Sequence, residues 1–330
     1  MIKAAVVGFG FMGKTHAMNI LRNKDIELKA IVDSNPDLFI GVSMANAGNI
    51  NTGGLNSEQI AGINKYNDLD ECLRHEDLDA VIICVHTGLH YPMSMRALSA
   101  NKHVFIEKPF CLDISQAEEI IRIASEKGKT LMVGHVVRFM QPYVRLKQLI
   151  DTTELGEIES LYMCRFCGLP SWGQWKEKNV TGTSGGALFD LVIHDIDFAG
   201  YALGFPEKIK SECFPGSISR HDYVSATWSY KSKNIRVRIE GGNTFHSLFP
   251  FQAGYMARFE KASVIYNSFK GNILNVADNN GLREIVLEDA VDGYYNEIDY
   301  FTKCIEKNEL PEKCSPVSSL ESVKLCYRHI

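Results

Sequence analysis

The sequence contains no long hydrophobic run: nowhere in its 330 residues is there anything near the roughly 20 consecutive apolar residues of a membrane-spanning helix. The apolar start, Met1-Ile2-Lys3-Ala4-Ala5-Val6-Val7-Gly8, is short and runs straight into glycine turns with no small-residue cleavage site, so it does not read as a signal peptide. A basic excess is missing as well. Lysine and arginine total 35 against 40 aspartates and glutamates, giving a formal net charge of −5 that is spread along the chain. Without a basic stripe to meet duplex phosphates, nucleic acid is not an expected partner. Low-complexity tracts, internal repeats and a Pro- or Ser-rich hinge near 135–142 are also lacking. Cysteine is present but unpatterned: nine residues, an odd number, mostly isolated in apolar surroundings. Free thiols in a reducing cytosol fit that distribution, so the expected location is cytoplasmic. Cys164 and Cys167 form a C-x-x-C, but the segment alternates like a strand and points residues three apart to opposite faces. No second pair has matching spacing, and neither a metal nor a redox role is assigned.

What remains is an ordinary globular composition, 45% hydrophobic and 23% charged, long enough for two domains. Over the first ~130 residues, short β-rich runs alternate with helical stretches. Ala4–Val7, Glu27–Val32, Ala80–Val85, His103–Ile106 and Thr130–Val133 read as strands; Lys14–Arg22, Leu69–His75, Pro92–Ala100 and Ser115–Lys127 read as helices. Strands joined by crossover helices predict a doubly wound parallel sheet. Ile40–Gly62, rich in Gly, Asn and Ser, reads as a loop-containing excursion. Beyond Pro142 come a helix, a strand near Ile158–Phe166, an unusually apolar helix Gly186–Leu203, then several strands joined by short turns and two closing helices. That half reads as α+β with a mostly antiparallel open sheet. The expected boundaries are an α/β Rossmann domain over 1–134 and an α+β substrate-binding and oligomerisation domain over 135–330.

Gly8-Phe9-Gly10-Phe11-Met12-Gly13 is a G-x-G-x-x-G that directly follows the first strand and opens the first helix. Gly8 supplies the tight turn, Gly10 lets the backbone approach a pyrophosphate, and Gly13 lets helix and strand pack closely. The free N–H groups and macrodipole of the helix N-terminus then stabilise the phosphate charge. Asp33 ends the second strand, where an acid hydrogen-bonds the adenosine ribose diol. Its charge repels a 2′-phosphate, and Ser34 and Asn35 offer no arginine to neutralise one, so NAD is preferred over NADP.

Two further groups carry chemistry. Glu107-Lys108-Pro109 follows the strand His103–Ile106, and ligands of open parallel sheets bind outside the strands' carboxyl ends. A lysine there can donate to a substrate oxygen or serve in proton transfer. On the apolar helix, Asp190, His194 and Asp197 fall at i, i+4 and i+7, on one stripe. Buried ionisable groups are costly unless paired or used, and a histidine with a carboxylate one turn away can accept an alcohol proton. A structural Asp–His pair and a zinc site are the alternatives; no Cys or His cluster completes a zinc set.

In this order and spacing, the Gly8–Gly13 turn, Asp33, Glu107-Lys108-Pro109 and Gly185-Gly186-x3-Asp190-x3-His194 resemble the glucose–fructose oxidoreductase / inositol dehydrogenase (Gfo/Idh/MocA) family. Val133-Gly134-His135 with Arg138-Phe139, and Leu155-Gly156-Glu157-Ile158, extend the resemblance along the chain. The resemblance implies hydride transfer between NAD and a secondary alcohol or ketone of a sugar, inositol or related polyol. It implies that Lys108 orients the reacting hydroxyl, His194 exchanges its proton, and Asp190 holds substrate or tunes the histidine. It also implies a homodimer or homotetramer built through the C-terminal sheet. Thr87, His90, Glu107 and Lys108 are expected beside the cofactor, and Arg138, Trp172 and Trp175 in the substrate pocket. Many relatives carry Thr-Pro-Asn before the histidine that matches His90; this chain has His86-Thr87-Gly88. An NAD-dependent glycoside hydrolase and a non-catalytic NAD(H)-binding protein are the competing readings.

Overall fold

The computed structural model describes residues 1–39, 55, 58–169, 185–231, 234–288 and 292–330. They form two compact units, Met1–Val136 with Gly293–Glu321, and Val137–Asp292 with Ser322–Ile330. This division differs from two contiguous segments split at 134, because Gly293–Glu321 clusters with the first unit. The reason lies in the helix Gly293–Lys307, whose inner side buries Ile298, Phe301, Thr302 and Cys304. Phe301 meets Phe105 of the parallel sheet edge-on at 5.7 Å, and the Asn23 amide donates to Asp299 Oδ1 at 3.1 Å. A parallel sheet needs cover on both faces, and this helix supplies part of it.

The first unit holds β1 (Ile2–Val7), β2 (Ile26–Val32), β3 (Asn64–Tyr66), β4 (Ala80–Ile83), β5 (His103–Glu107) and β6 (Leu131–Gly134). They pair in parallel in the order β3-β2-β1-β4-β5-β6. Ala80-Val81-Ile82-Ile83 is buried throughout, as an unbroken apolar run in a doubly covered sheet must be. The strand order reverses between β1 and β4, which opens a crevice outside their carboxyl ends. The five expected strands are present to within two residues. β3 was not read from the sequence: it is a three-residue, mostly exposed edge strand of Asn-Lys-Tyr, with no apolar alternation to betray it.

The second unit carries an eight-stranded sheet: β7 (Ile158–Gly168), β8 (Lys208–Phe214), β9 (Tyr223–Ser229), β10 (Arg236–Phe245), β11 (Gln252–Phe259), β12 (Ala262–Asn267), β13 (Ile273–Asp278) and β14 (Gly281–Val286). Its order is β14-β13-β12-β11-β7-β10-β9-β8, antiparallel except where β7 meets β10. Alternate residues are buried along β7, β9, β12 and β13, so one face packs on the core there, whereas β8 and β14 bury none. The other face presents Met256 and its cross-strand partner Ile265, and on β14 Leu282 and Val286 to either side of Glu284; these four apolar residues are each at least 42% exposed. β13 had no counterpart in the sequence reading, since its Asn, Ala and Asp residues weaken the strand signal.

The apolar helix departs from expectation. Leu188–Val192 is a π-helical turn, and a regular α-helix follows over Ile193–Leu203. The wider turn holds Asp190 and ends before His194, so the 3.6-residue stripe does not run unbroken between them. Asp190 and His194 are half-buried, whereas Asp197 is 1% exposed and turned into the core. No helix among the described residues is long and apolar enough to cross a membrane.

Candidate active site

β1 delivers the chain into Gly8, whose φ of +88° favours glycine; a Cβ there would lie 2.7 Å from the Val85 nitrogen. At Gly13 a Cβ would fall 1.9 Å from the Gly8 carbonyl oxygen, so only glycine lets the helix Phe11–Arg22 sit this close to the strand. Gly10 differs from both: a Cβ there would meet nothing within 4 Å, leaving open room where a ligand can approach the backbone. Gly10 caps the helix without a side-chain hydrogen bond, and the first turn carries no acidic residue. Phe11, Met12 and Gly13 therefore present free helix N–H groups to that opening.

Asp33 lies where β2 ends. Its Oδ2 accepts the Phe9 backbone N–H at 2.6 Å and its Oδ1 accepts that of Asn35 at 2.9 Å. Each carboxylate oxygen has a second lone pair, so the group can still receive ribose hydroxyls. Lys14, which the sequence reading did not weigh, sits over the Phe9 ring at 5.5 Å from its centroid. Burial lowers its pKa, and the negative charge of Asp33 opposes that shift. The open helix N-terminus, the uncovered Gly10 backbone and the acid at the strand end together fit a dinucleotide with a pyrophosphate and an adenosine ribose.

Thr87 begins a short 3-10 turn after β4 and is half-buried. His90, expected beside the cofactor, lies inside the unit. It is 1% exposed, with Nδ1 2.9 Å from the Pro109 carbonyl and 3.1 Å from that of Phe110, and Nε2 3.0 Å from that of Val85. Burial lowers its pKa against the pull of those carbonyls. Its two ring nitrogens face the carbonyls of the Pro109-Phe110 segment and of Val85. Glu107, also expected beside the cofactor, is 6% exposed and turned inward. It accepts the Lys108 backbone N–H at 3.1 Å through Oε2 and meets His16 Nε2 at 2.6 Å through Oε1. His16 and Glu297, which complete this buried cluster, were missed. The only local sign was a histidine three residues past Gly13. Lys108 itself is half-buried, at the carboxyl end of β5.

In the second unit the Gly185-Gly186 turn precedes the π-helical segment. Both glycines have φ near +75°, and a Cβ on Gly186 would lie 2.0 Å from the Ser219 hydroxyl. The turn leads into the helix that bears Asp190 and His194. Arg138, expected in the substrate pocket, is 2% exposed. It donates through Nε and Nη2 to both oxygens of Asp197, at 2.9 and 2.5 Å, and stacks over the Tyr201 ring. Ser322 donates to the same carboxylate at 2.6 Å. A guanidinium committed in this way is part of the core. Trp172 and Trp175 lie outside the described residues.

Comparison with known proteins places the chain in a family. Residues 2–135 match the model of an oxidoreductase family with an NAD-binding Rossmann fold, and residues 143–250 match the GFO/IDH/MocA C-terminal domain. D-glucoside 3-dehydrogenase from Escherichia coli is 32% identical over 286 residues, covering 82% of this chain and 75% of that one. Inositol 2-dehydrogenase from Rhizobium meliloti is 24% identical over 318 residues, covering 93% and 89%. Among solved structures, a probable dehydrogenase from Thermotoga maritima shares the fold, with a TM-score of 0.79 at 22% identity over 99% of this chain and 95% of that one. On its motifs, its fold and these likenesses, the chain belongs to the Gfo/Idh/MocA family of oxidoreductases.

Proposed function

We propose that the protein is an NAD-dependent dehydrogenase or ketone reductase acting on a secondary alcohol or ketone of a sugar, inositol or related polyol. The observation that carries this reading is the corner formed by the open Gly10 helix N-terminus and the Asp33 carboxylate, in a chain whose relatives are a glucoside and an inositol dehydrogenase. Gly8, Phe9, Gly10, Phe11, Met12, Gly13, Asp33 and Thr87 hold the dinucleotide. NAD is preferred over NADP because the Asp33 charge disfavours a 2′-phosphate. The bound cofactor supplies the hydride-accepting or hydride-donating chemistry.

The chain's own part is to orient the substrate and manage its proton. Lys108 donates a hydrogen bond to the reacting oxygen and sets its direction. His194 takes the hydroxyl proton when the alcohol is oxidised and returns it when the ketone is reduced. Asp190, four residues earlier, holds substrate hydroxyls or tunes the imidazole. The test is a panel of sugars, inositols and their keto forms with NAD or NADH, followed by the absorbance of the reduced nicotinamide. Lys108→Ala and His194→Ala should each lower turnover by on the order of a hundred- to ten-thousandfold while NADH binding survives. Unchanged rates in both would overturn the assignment.

The exposed sheet face supports a homodimer or homotetramer, with a second copy covering Met256, Ile265, Leu282 and Val286. Light scattering on the protein and on Met256→Lys/Ile265→Lys tests this, with dissociation of the double variant expected. Nine free cysteines support placement in the reducing cytoplasm.

A further inference from the structure

One side-chain cluster is left unused by this chemistry. His16 comes from the helix that opens at the glycine turn, Glu107 from the end of β5, and Glu297 from the helix Gly293–Lys307. All three are buried, and one ligand-capable atom of each lies within 4.8 Å of the others. His16 Nε2 is 2.6 Å from Glu107 Oε1 and 3.9 Å from Glu297 Oε1. A neutral imidazole has a single N–H, and the shorter contact places it on Nε2, donating to Glu107. His16 Nδ1 has no hydrogen-bond partner among the described residues, which suits a lone pair better than a second buried N–H. Phe105 and Tyr294 hold the ring edge-on, with centroids at 5.2 and 6.1 Å. Cys84 also feels the cluster: burial pushes its thiol up, and the charges of Glu107 and Glu297 add to that.

The other oxygen of Glu107 accepts the backbone N–H of Lys108 at 3.1 Å. We propose that His16 is a positioning residue for Lys108, acting through Glu107. The imidazole, wedged between two aromatic rings, fixes the orientation of the carboxylate. The carboxylate in turn fixes the direction in which the backbone leaves β5 with the lysine. The helix whose N-terminus faces the dinucleotide and the strand that bears the lysine are thereby joined through one short hydrogen bond. Glu297 Oε1 lies 3.9 Å from the same imidazole nitrogen. This inference rests on the reading of Lys108 as the group that orients the substrate.

His16→Phe keeps a ring against Phe105 and Tyr294 but removes the donor, and His16→Gln returns an N–H. With NAD and the panel substrate of highest rate, His16→Phe should lower kcat by on the order of ten- to a hundredfold, the scale expected for a misplaced reacting group. Its NADH affinity, read by nicotinamide fluorescence, should stay within about twofold, well inside one hydrogen bond's worth. His16→Gln should recover most of the rate. In a Lys108→Ala background, His16→Phe should add no further loss. If His16→Phe does not fold, His16→Phe/Glu107→Gln removes the stranded buried charge and should show the same loss in kcat. An unchanged kcat, a loss matched by equally weakened NADH binding, no recovery in His16→Gln, or a fully multiplicative loss with Lys108→Ala would each overturn the proposal. Normal turnover by Lys108→Ala would instead remove the reading of Lys108 itself. An inactive Lys108→Ala beside a fully active His16→Phe defeats the positioning role alone.

Discussion

The backbone N–H of Phe9 donates to Oδ2 of Asp33 at 2.6 Å, so the second residue of the glycine turn and the acid ending β2 form one braced corner. The acid therefore has two tasks in the proposed function. It shapes the turn, and it presents charge where an adenosine ribose binds.

Replacing Asp33 separates those tasks. Asp33→Ala loses both and should weaken NADH binding by on the order of ten- to a hundredfold, the worth of a hydrogen bond to a charged group. Asp33→Asn keeps an acceptor for the Phe9 N–H but removes the charge that opposes a 2′-phosphate, and it leaves Lys14 free to meet one. NADPH should then bind more tightly than to the parent protein. Fluorescence titrations of both cofactors against the three proteins check this; NADPH affinity unchanged in Asp33→Asn would argue against Asp33 as the discriminating group.

Gly13→Ala places a methyl group 1.9 Å from the Gly8 carbonyl, a backbone atom that cannot step aside cheaply. Overpacking of this kind costs about 1–3 kcal/mol. The thermal midpoint should fall, and NADH binding should suffer because the turn itself must shift. Gly10→Ala is the contrasting case. Its Cβ meets no atom of the described residues within 4 Å, so stability should hold while NADH binding is lost.

Arg138 and Asp197 form a bidentate pair with both side chains 1% exposed. Removing one partner strands a buried charge. Asp197→Leu or Arg138→Met should each cost about 3–5 kcal/mol. The double replacement removes both charges and should regain much of that loss. Denaturation midpoints of the four proteins check the cycle, and additive losses would count against the coupling.

His329 provides a pH prediction. Burial lowers its pKa to about 4 from the ordinary 6.5 of a histidine. Trp228 donates to its Nε2 at 2.9 Å, so the ring proton sits on Nδ1, which donates to the Leu325 carbonyl at 2.7 Å. Protonating Nε2 would break the tryptophan bond. The unfolded chain takes up this proton below pH 6.5, whereas the folded chain resists until about 4. The stabilisation is therefore complete above pH 6.5 and fades as the pH falls toward 4, by about 1.4 kcal/mol per unit at most. His329→Gln has no proton to take up there, and its thermal midpoint should fall less steeply over that interval.

Sequence by itself determined the features whose causes are local. The glycine turn was legible because three glycines at fixed spacing stand between an apolar strand and a helix, and the steric reasons for Gly8 and Gly13 operate within a few residues. The parallel sheet was legible because Ala80–Ile83 and its counterparts are apolar runs bounded by helical patterns. Only the tertiary structure decided what depends on partners distant along the chain. His16 and Glu107 are 91 residues apart, and Arg138 and Asp197 are 59 apart. Nothing local in an arginine or a histidine says whether it will face substrate or be spent on a buried acid. His90 and Arg138 were drawn into backbone and carboxylate contacts for that reason, because a buried polar group is stable only when its hydrogen bonds are met. The π-turn at Leu188–Val192 likewise escaped the periodic reading, since a helical stripe assumes 3.6 residues per turn throughout and nothing in the residue types marks where a wider turn falls.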